Sequence, residues 1–384
     1  MNQPQAGYLD HASGQPLHPA ARDVLEQALG RGYADPRGLH RPAREARMML
    51  ENARAVVAEC LGTRPDEVTF TPSGTHAVHL GVLGLLDGRV RQGSLLLASS
   101  VEHSAVLQAG AWHAARGGRF ETVPVDHRGR TSPDRVAAAV AEHGTPAVLA
   151  LQSANPEVGA VQPVDEVADA LDAPLFVDAC ASSGRLPLPD GWAVAAASAH
   201  KWGGPAGVGV LLVRRSARWR NPFPGDDRVD VRSVGFENVP AALAAAASLR
   251  ASLEEQHAAP YRLARTHAAL TGMLAEAVRA IPDTDVFLAP DRRLPHVVAF
   301  SCLYVDGEAL VTELDRLGFA VASGSACTAS ALEPSHVLAA MGALTHGNVR
   351  VSLGRDTHPD EVHRLAKVLP GVVERLRAVS GVPG

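Results

Sequence analysis

The stretch "SAHKWGGPAGVGVLLV" (198–213) places a lysine between a histidine and a run of residues typical of buried structure. Small residues and glycines follow Lys201, and the apolar segment "GVGVLLV" (207–213) comes next. Lysine is seldom fully buried unless it is paired, so its position here needs an explanation. A partly buried lysine also holds its proton less tightly, which makes the amine a usable nucleophile. Lys201 is therefore a candidate functional residue beside a predicted buried strand.

This strand belongs to a regular alternation of apolar runs and helix-length amphipathic stretches. Such an alternation predicts an α/β fold with a mostly parallel sheet that is covered on both faces. The pattern changes near residue 240, where a long helical run begins and a smaller α+β domain is predicted to follow. We therefore expect a large domain over residues 15–255 and a small domain built from residues 1–14 and 256–384. The predicted strands are "EVTFT" (67–71), "SLLLASS" (94–100), "AVLALQS" (147–153), "PLFVDA" (174–179) and "GVGVLLV" (207–213).

The composition fits a globular protein and argues against several other classes. The 384 residues are 46% hydrophobic and 20% charged, which is enough for a sizeable core. A formal net charge of -5 and only 4% aromatic residues disfavour a nucleic-acid-binding surface. The four cysteines form no Cys-x-x-Cys pair, and no apolar run approaches the roughly 18 residues of a membrane span. We therefore expect a cytoplasmic protein with free thiols and no signal peptide, membrane segment or nucleic-acid partner.

Polar residues follow the predicted strands at the edge where α/β proteins bind ligands. "PSGTH" (72–76) follows the first strand, and it could hold a phosphate through its backbone N–H groups or simply cap a helix. His103 and Asn155 follow the next two strands, where a structural histidine and an ordinary turn are the alternatives. Asp178 ends a strand 23 residues before Lys201, where a helix cap or a salt bridge is the alternative.

The lysine and the carboxylate at neighbouring strand ends together suggest pyridoxal phosphate. Lys201 would form a Schiff base with the cofactor, and Asp178 would keep its pyridine nitrogen protonated. A phosphate cradle and an imidazole that stacks on the ring would complete such a site. Each signal is weak by itself, but the combination predicts this one cofactor.

Two further residues in the last quarter of the chain are chemical candidates. Cys327 lies in "VASGSACTASALEPSHVL" (321–338), among small and polar residues that favour an exposed, flexible and reactive position. Arg350 lies near the start of a predicted strand, "GNVRVSLGR" (347–355), and could clamp a carboxylate or form a surface ion pair. The remaining cysteines flank apolar runs and are predicted to be buried and inert; they are Cys60, Cys180 and Cys302.

The sequence resembles the cysteine desulfurase family of fold-type I pyridoxal-phosphate enzymes, which are related to class-V aminotransferases. The resemblance begins at "YLDHASGQP" (8–16) and covers nearly the whole chain. It includes "FTPSGTH", "VEHSAVL", "NPEVGAVQP", "FVDACASSGRLPL", "SAHKWGGPAGVG" and "VRVSLGR" in the same order and spacing. The "SGSAC" segment followed by "LEPS" is similar to the long-loop subgroup, whose cysteine loop is mobile. The resemblance implies a large domain with a seven-stranded type of sheet and a homodimer.

The resemblance also implies a role for each candidate residue. Lys201 would carry the cofactor, Asp178 would pair with its pyridine nitrogen, and His103 would stack on the ring and assist proton transfer. Asn155 and Arg350 would bind the carboxylate of L-cysteine. Cys327 would attack the substrate sulfur and hold it as a persulfide for a sulfur-acceptor protein, leaving L-alanine. No metal is implied. The residues that would hold the phosphate are Gly74, Thr75, His76, Ser198 and His200.

Several positions depart from the family pattern and leave alternatives open. Ala181 stands where a glutamine usually bonds the phenolate oxygen of the cofactor, and His76 replaces a glutamate. Phe236 lies where a threonine of the neighbouring subunit usually touches the phosphate, and Ser13-Gly14-Gln15 replaces "ATT". The alternatives are a selenocysteine lyase, a cysteine sulfinate desulfinase, another class-V aminotransferase-like enzyme, or a non-catalytic scaffold. The acceptor pathway stays open among iron–sulfur assembly, tRNA thiolation, DNA phosphorothioation and natural-product synthesis.

Overall fold

The structure is a computed structural model that describes residues 7–225, 230–232, 235–259, 261–323 and 334–379. The strands are β1 (Gly7–Tyr8), β2 (Val68–Thr71), β3 (Leu95–Ser99), β4 (Arg119–Val123), β5 (Val148–Ala150), β6 (Leu175–Asp178), β7 (Trp192–Ser198), β8 (Gly209–Val213), β9 (Thr284–Phe287), β10 (Val297–Cys302), β11 (Phe319–Ala320) and β12 (Asn348–Ser352). The helices are α1 (Pro19–Leu29), α2 (Arg41–Leu61), α3 (Gly74–Gly88), α4 (Ser104–Ala114), α5 (Pro133–His143), α6 (Val164–Ala170), α7 (Val239–Ala258), α8 (Arg262–Arg279), α9 (Gly307–Arg316), α10 (His336–Met341) and α11 (Pro359–Val379).

A seven-stranded sheet lies at the centre of the first part of the chain, in the order β2-β8-β7-β6-β5-β3-β4. The pairs among β7, β6, β5, β3 and β4 are parallel, whereas β8 runs antiparallel to both β7 and β2. The predicted α/β fold with a mostly parallel sheet is therefore confirmed. All five strands predicted from the sequence belong to this sheet.

Two strands of the sheet were not predicted. Strand β4 has the sequence "RFETV" and lies at an edge, where most of its residues are partly or fully exposed. Strand β7 has the sequence "WAVAAAS", and alanine is depleted in strands. It forms nonetheless because it is buried between β6 and β8, where packing outweighs propensity. This strand leads directly to Lys201.

The sheet separates two apolar cores because successive side chains of a strand point to opposite faces. Leu95 and Leu97 pack into the core shared with α2, α5, α6 and α7, whereas Leu96 and Ala98 pack against α3 and α4. Both faces are thus covered, which explains why the strands read as continuous apolar runs.

The last part of the chain contains a second, smaller sheet. Its order is β12-β10-β9, all antiparallel, and α8, α9 and α11 share a core with it. Strand β1 pairs in parallel with β11, and Leu9 is fully buried in the same core. Helix α7 extends to Ala258, so a boundary at residue 255 would fall within its last turn, and the division into two domains stays a prediction.

Among the described residues, we find no helix with the length and apolarity that crossing a membrane requires.

Candidate active site

The start of helix α3 forms one side of the candidate site. Oγ of Ser73 caps the helix by accepting a hydrogen bond of 3.0 Å from the backbone N–H of His76. Gly74 packs so closely against the end of β7 that a Cβ atom would lie 2.6 Å from Cβ of Ser198 and 3.1 Å from Sγ of Cys180. Glycine is therefore required at this point. A helix N-terminus carries partial positive charge and free N–H groups, which suit a phosphate.

The two neighbouring residues of this helix start differ in their surroundings. Thr75 is exposed, and its hydroxyl makes no hydrogen bond to a described residue. His76 is half-buried and stacks on Phe223 with ring centroids 6.2 Å apart. Burial lowers the pKa of His76, so this ring is neutral at neutral pH. A phosphate role for either side chain stays a prediction.

Lys201 lies just beyond the end of strand β7. Its Nζ donates hydrogen bonds to the carbonyl oxygens of Ala12 and Ser13, at 2.6 and 2.9 Å. Oγ of Ser198 lies 3.0 Å from Nδ1 of His200. Burial and the charge of Lys201 lower the pKa of His200 to about 4, so that imidazole is neutral. The N-terminal segment thus holds the amine of the lysine.

Asp178 ends strand β6, and His103 follows strand β3 and caps helix α4. Asp178 is 6% exposed, and its Oδ1 accepts a hydrogen bond of 2.9 Å from the backbone N–H of Cys180. Nδ1 of His103 accepts from the backbone N–H of Ala105 at 3.1 Å, so a neutral ring carries its proton on Nε2. Burial lowers the pKa of His103, the charge of Asp178 opposes this, and the charge of Lys201 adds to it. The three side chains are therefore close enough to interact electrostatically.

Arg350 lies in strand β12 and is already paired. Its guanidinium donates to Oδ1 of Asp10 at 2.7 Å and to Oγ of Ser13 at 2.6 Å. It also donates to the carbonyl oxygen of Pro156 at 3.2 Å, while its buried Nε has no partner among the described residues. A carboxylate ligand would therefore join or displace Asp10. Ser13 links this arginine to Lys201, because its carbonyl oxygen accepts from the lysine.

Asn155 closes its own turn. Its Oδ1 accepts from the backbone N–H groups of Glu157 and Val158, at 2.8 and 2.9 Å. Its Nδ2 donates to the carbonyl oxygen of Val101 at 3.1 Å, which leaves one amide hydrogen for a ligand. The structure places Asn155 next to Pro156, which Arg350 contacts, and its role toward substrate stays a prediction.

Cys327, Ala181 and Phe236 differ in where they lie. Cys327 lies outside the described residues. Ala181 lines a small pocket that Lys201 also lines. Phe236 is 59% exposed.

Sequence reasoning missed two buried carboxyl groups beside the site. Glu102 is fully buried, and its Oε1 accepts a hydrogen bond of 2.7 Å from the backbone N–H of Gln152. Burial raises the pKa of Glu102 well above its usual range. Glu157 accepts a hydrogen bond of 2.9 Å from Oγ of Ser335, and burial raises its pKa to about 7. Glu102 directly precedes His103 and Glu157 lies two residues after Asn155, so a search for acids within two residues of the candidates would have found them.

Comparison with known proteins identifies the family. The model of the class-V aminotransferases matches residues 7–365. The chain belongs to this family. An IscS-like cysteine desulfurase of Mycobacterium tuberculosis is 35% identical and the alignment covers 96% of this chain and 97% of the relative. Cysteine desulfurase IscS of Dictyoglomus turgidum is 30% identical, with 97% and 96% covered. Within the class-V family, the chain therefore belongs with the cysteine desulfurases.

Solved structures agree with this assignment. A NifS-like protein matches with a TM-score of 0.86 and 25% identity, covering 97% of this chain and 100% of the other. The apo cysteine desulfurase of Thermococcus onnurineus has the same fold, with a TM-score of 0.82 at 22% identity and coverage of 97% and 95%. The predicted fold-type I architecture is thereby confirmed.

The cofactor of this family is pyridoxal phosphate, and the residues present fit it. The donor set combines an amine, a strand-end carboxylate and a neutral imidazole, which are the groups this cofactor requires. The absence of a Cβ atom at Gly74 lets the start of helix α3 lie against Ser198, which brings its N–H groups near the Ser198 hydroxyl, as a phosphate site requires. Lys201, Asp178 and His103 are the residues that would hold the ring.

Proposed function

We propose that this chain is a pyridoxal-phosphate-dependent cysteine desulfurase that converts L-cysteine to L-alanine and holds the sulfur as a persulfide on Cys327. The observation that carries the proposal is the electrostatic proximity of Lys201, Asp178 and His103 at the strand ends. It occurs in a chain that is 30–35% identical to cysteine desulfurases over nearly its whole length. A structure of the protein SspA in complex with cysteine shares the fold, with a TM-score of 0.76 at 22% identity over 90% of this chain and 98% of the other.

When bound, pyridoxal phosphate supplies an electron sink for the carbon that bears the substrate amine. Asp178 is a buried carboxylate that would keep the pyridine nitrogen charged. Lys201 would hold the cofactor covalently and, once released, its neutral Nζ would take the proton from the substrate carbon. His103 would hold a proton on Nε2, because its Nδ1 is occupied by a backbone N–H.

Arg350 would bind the carboxylate of the substrate. Its guanidinium is almost fully buried and can form a bidentate pair with a carboxylate. Asp10 already neutralises this charge in the absence of substrate, so binding would involve an exchange or sharing of partners. Ser13 would then couple the filling of this position to Lys201, since it contacts both groups.

Cys327 is the cysteine best suited to the sulfur step. The thiolate is the reactive form, and burial raises the pKa of each of the other thiols. The pKa of Cys302 is raised to about 11, that of Cys180 is raised well above the usual range, and that of Cys60 is raised as well. Sγ of Cys327 would form a bond to the substrate sulfur as the Cβ–S bond of the substrate breaks. The electron pair of that bond would remain on Cβ and take up a proton to give alanine.

The assembly and location are further parts of the proposal. We infer a homodimer in which the segment around Phe236 meets the neighbouring subunit, because a phenylalanine that is 59% exposed gains from being covered. We also infer a cytoplasmic enzyme that passes its sulfur to an acceptor protein. The free thiols of Cys60, Cys180 and Cys302 fit a reducing compartment.

The decisive experiment measures alanine and sulfide from L-cysteine, with cofactor-loaded protein and a thiol reductant. We expect equal amounts of both products. Cys327→Ser should abolish sulfide release, and Cys60→Ser should leave it unchanged. Faster turnover of selenocysteine or cysteine sulfinate than of cysteine would favour the lyase or desulfinase alternative, and no turnover of any of them would favour a scaffold.

A further inference from the structure

A small pocket beside Lys201 contains a cationic side chain that has no carboxylate partner. The pocket is lined by Arg185, His296, His11 and Ala181 together with Lys201. Its volume is about 10 Å³, close to the space that one water-sized group needs. Lys201 and Ala181 also belong to the candidate active site, so the pocket adjoins that site, whereas Gly74, Ser198 and Arg350 do not line it.

Arg185 is the charged group of this pocket. Its guanidinium makes no hydrogen bond or ion pair with any residue that the structure describes. Burial lowers its pKa to about 10, so it still carries its charge at neutral pH. Arg185 as a whole residue is partly exposed, but its charge is desolvated, and a nearby anion would stabilise such a charge.

The histidines around Arg185 are neutral and do not supply that anion. His296 is 2% exposed, and its Nδ1 has no hydrogen-bond partner among the described residues. Burial and the charge of Arg185 hold the pKa of His296 well below its usual range. Burial lowers the pKa of His267 to about 4, and it also lowers the pKa of His11. The neutral ring of His296 can therefore donate one N–H to an anion, while the positive charge of the site comes from Arg185 alone.

The other two imidazoles are already occupied. Nε2 of His267 lies 3.0 Å from the carbonyl oxygen of Gly354. Nδ1 of His11 lies 3.1 Å from Oε1 of Gln15. These contacts leave Arg185 and His296 as the groups of the pocket that await a partner.

We propose that the Arg185 pocket is an anion-binding site for one small acid group. The guanidinium of Arg185 supplies the charge, and the ring of His296 supplies a neutral N–H donor. The acid group comes either from a free monoanion or from an amino-acid substrate that carries a second acid group on its side chain. The site does not depend on the proposed desulfurase activity.

Calorimetric titration of the cofactor-loaded protein with sodium formate at constant ionic strength tests the proposal. Formate is a small monoanion, and formamide is a neutral molecule of nearly the same shape. We expect formate to bind at least tenfold more tightly than formamide, and Arg185→Met to weaken formate binding at least tenfold. Equal binding of formate and formamide, or equal formate binding by the parent and Arg185→Met, would overturn the proposal.

Arg293→Met is the matched control. Arg293 is also partly desolvated, which lowers its pKa, but it is bonded to Oγ1 of Thr271 at 3.2 Å and does not line the pocket. Formate binding should stay within twofold in this variant. Because Arg350 could also hold formate, the titration is repeated in Arg350→Met, where the heat that depends on Arg185 must remain.

Two further measurements complete the design. If Arg185→Met does not fold, His296→Phe is the alternative variant, because it keeps an aromatic ring and removes the N–H donor. It should weaken formate binding severalfold, and unchanged binding would count against the site. The source of the acid group is identified with L-cysteine sulfinate and L-cysteine. A substrate acid group predicts that Arg185→Met weakens binding of the sulfinate as well as of formate and leaves binding of L-cysteine unchanged. A free anion predicts that this variant weakens binding of formate and of neither amino acid. If the parent protein bound formate but did not desulfurate L-cysteine, the proposed function would be rejected and the anion-binding site would still be supported.

Discussion

Replacement of Gly74 by alanine tests whether the helix start must lie against the end of strand β7. The new Cβ would meet Cβ and Oγ of Ser198 at 2.6 and 2.8 Å. Ordinary van der Waals contact begins near 3.4 Å, so the two elements must separate by about 0.8 Å. Sγ of Cys180 would lie 3.1 Å from the new Cβ, which is also closer than ordinary contact.

Overpacking of this kind costs about 1–3 kcal/mol. The higher helix propensity of alanine returns up to about 1 kcal/mol, so we expect a net loss of about 1–2 kcal/mol in the unfolding free energy. The effect on cofactor binding should be larger than the effect on stability. The displaced groups, the N–H groups of the helix start and the Ser198 hydroxyl, are those predicted to hold the phosphate.

The assay pairs thermal unfolding of the apo protein with titration of pyridoxal phosphate by its absorbance. Gly74→Ala should lower Tm by a few degrees and weaken cofactor binding at least tenfold. Gly272→Ala is the control, because a Cβ there meets no atom within 4 Å, and it should keep or raise Tm. The double variant Gly74→Ala/Ser198→Gly removes the two closest contact atoms, keeps the Sγ of Cys180 at 3.1 Å, and should recover part of the lost Tm. If Gly74→Ala matched the parent in both measurements, the close approach would not be required.

Three other outcomes are expected. Borohydride reduction of the cofactor-loaded protein followed by peptide mapping should place the pyridoxyl group on Lys201, and a label on Lys367 would contradict the assignment. Burial raises the pKa of Glu157 to about 7 from an ordinary 4.5, so its stabilising contribution is complete below about pH 4.5 and is lost as the pH rises through 7. Between pH 5 and 8, the unfolding free energy of Glu157→Gln should therefore fall less than that of the parent, by up to about 3 kcal/mol. Chemical denaturation at several pH values measures the difference, and an equal fall in both proteins would refute the burial argument. Cys327→Ser should keep the parent's cofactor absorbance and affinity, whereas an altered spectrum would mean that this thiol contacts the cofactor.

The sequence was most informative where a residue's own neighbours determine its environment. The buried parallel strands were recognisable because both faces are covered, which produces uninterrupted apolar runs such as "SLLLASS". Lys201 and Asp178 could be found because each interrupts or ends such a run. Strand β7 escaped prediction because its alanines carry no strand preference and its burial depends on two neighbouring strands that are remote in sequence.

Contacts between distant segments could not be predicted in the same way. Nothing near Asp10 in the sequence indicates that it pairs with Arg350, which is 340 residues away. The pocket of Arg185 and His296 also depends on tertiary packing, since these residues lie on opposite sides of the chain's long helical region. Their individual neighbours suggest only ordinary turns.

The contacts of the N-terminal segment have a consequence for biosynthesis. Ser13 leaves the ribosome early, but its partner Lys201 follows 188 residues later, and the Arg350 partner of Asp10 follows after 340. At about 5–20 residues per second, the second interval is roughly 20 to 70 s. The large sheet can be complete by then. The site that joins the carbonyl groups of Ala12 and Ser13, Lys201, Asp10 and Arg350 can form only near the end of translation. Nascent chains that stop short of strand β12 should therefore accumulate with the sheet formed and the substrate clamp absent, and cofactor capture by such chains would measure how much of the site the sheet alone provides.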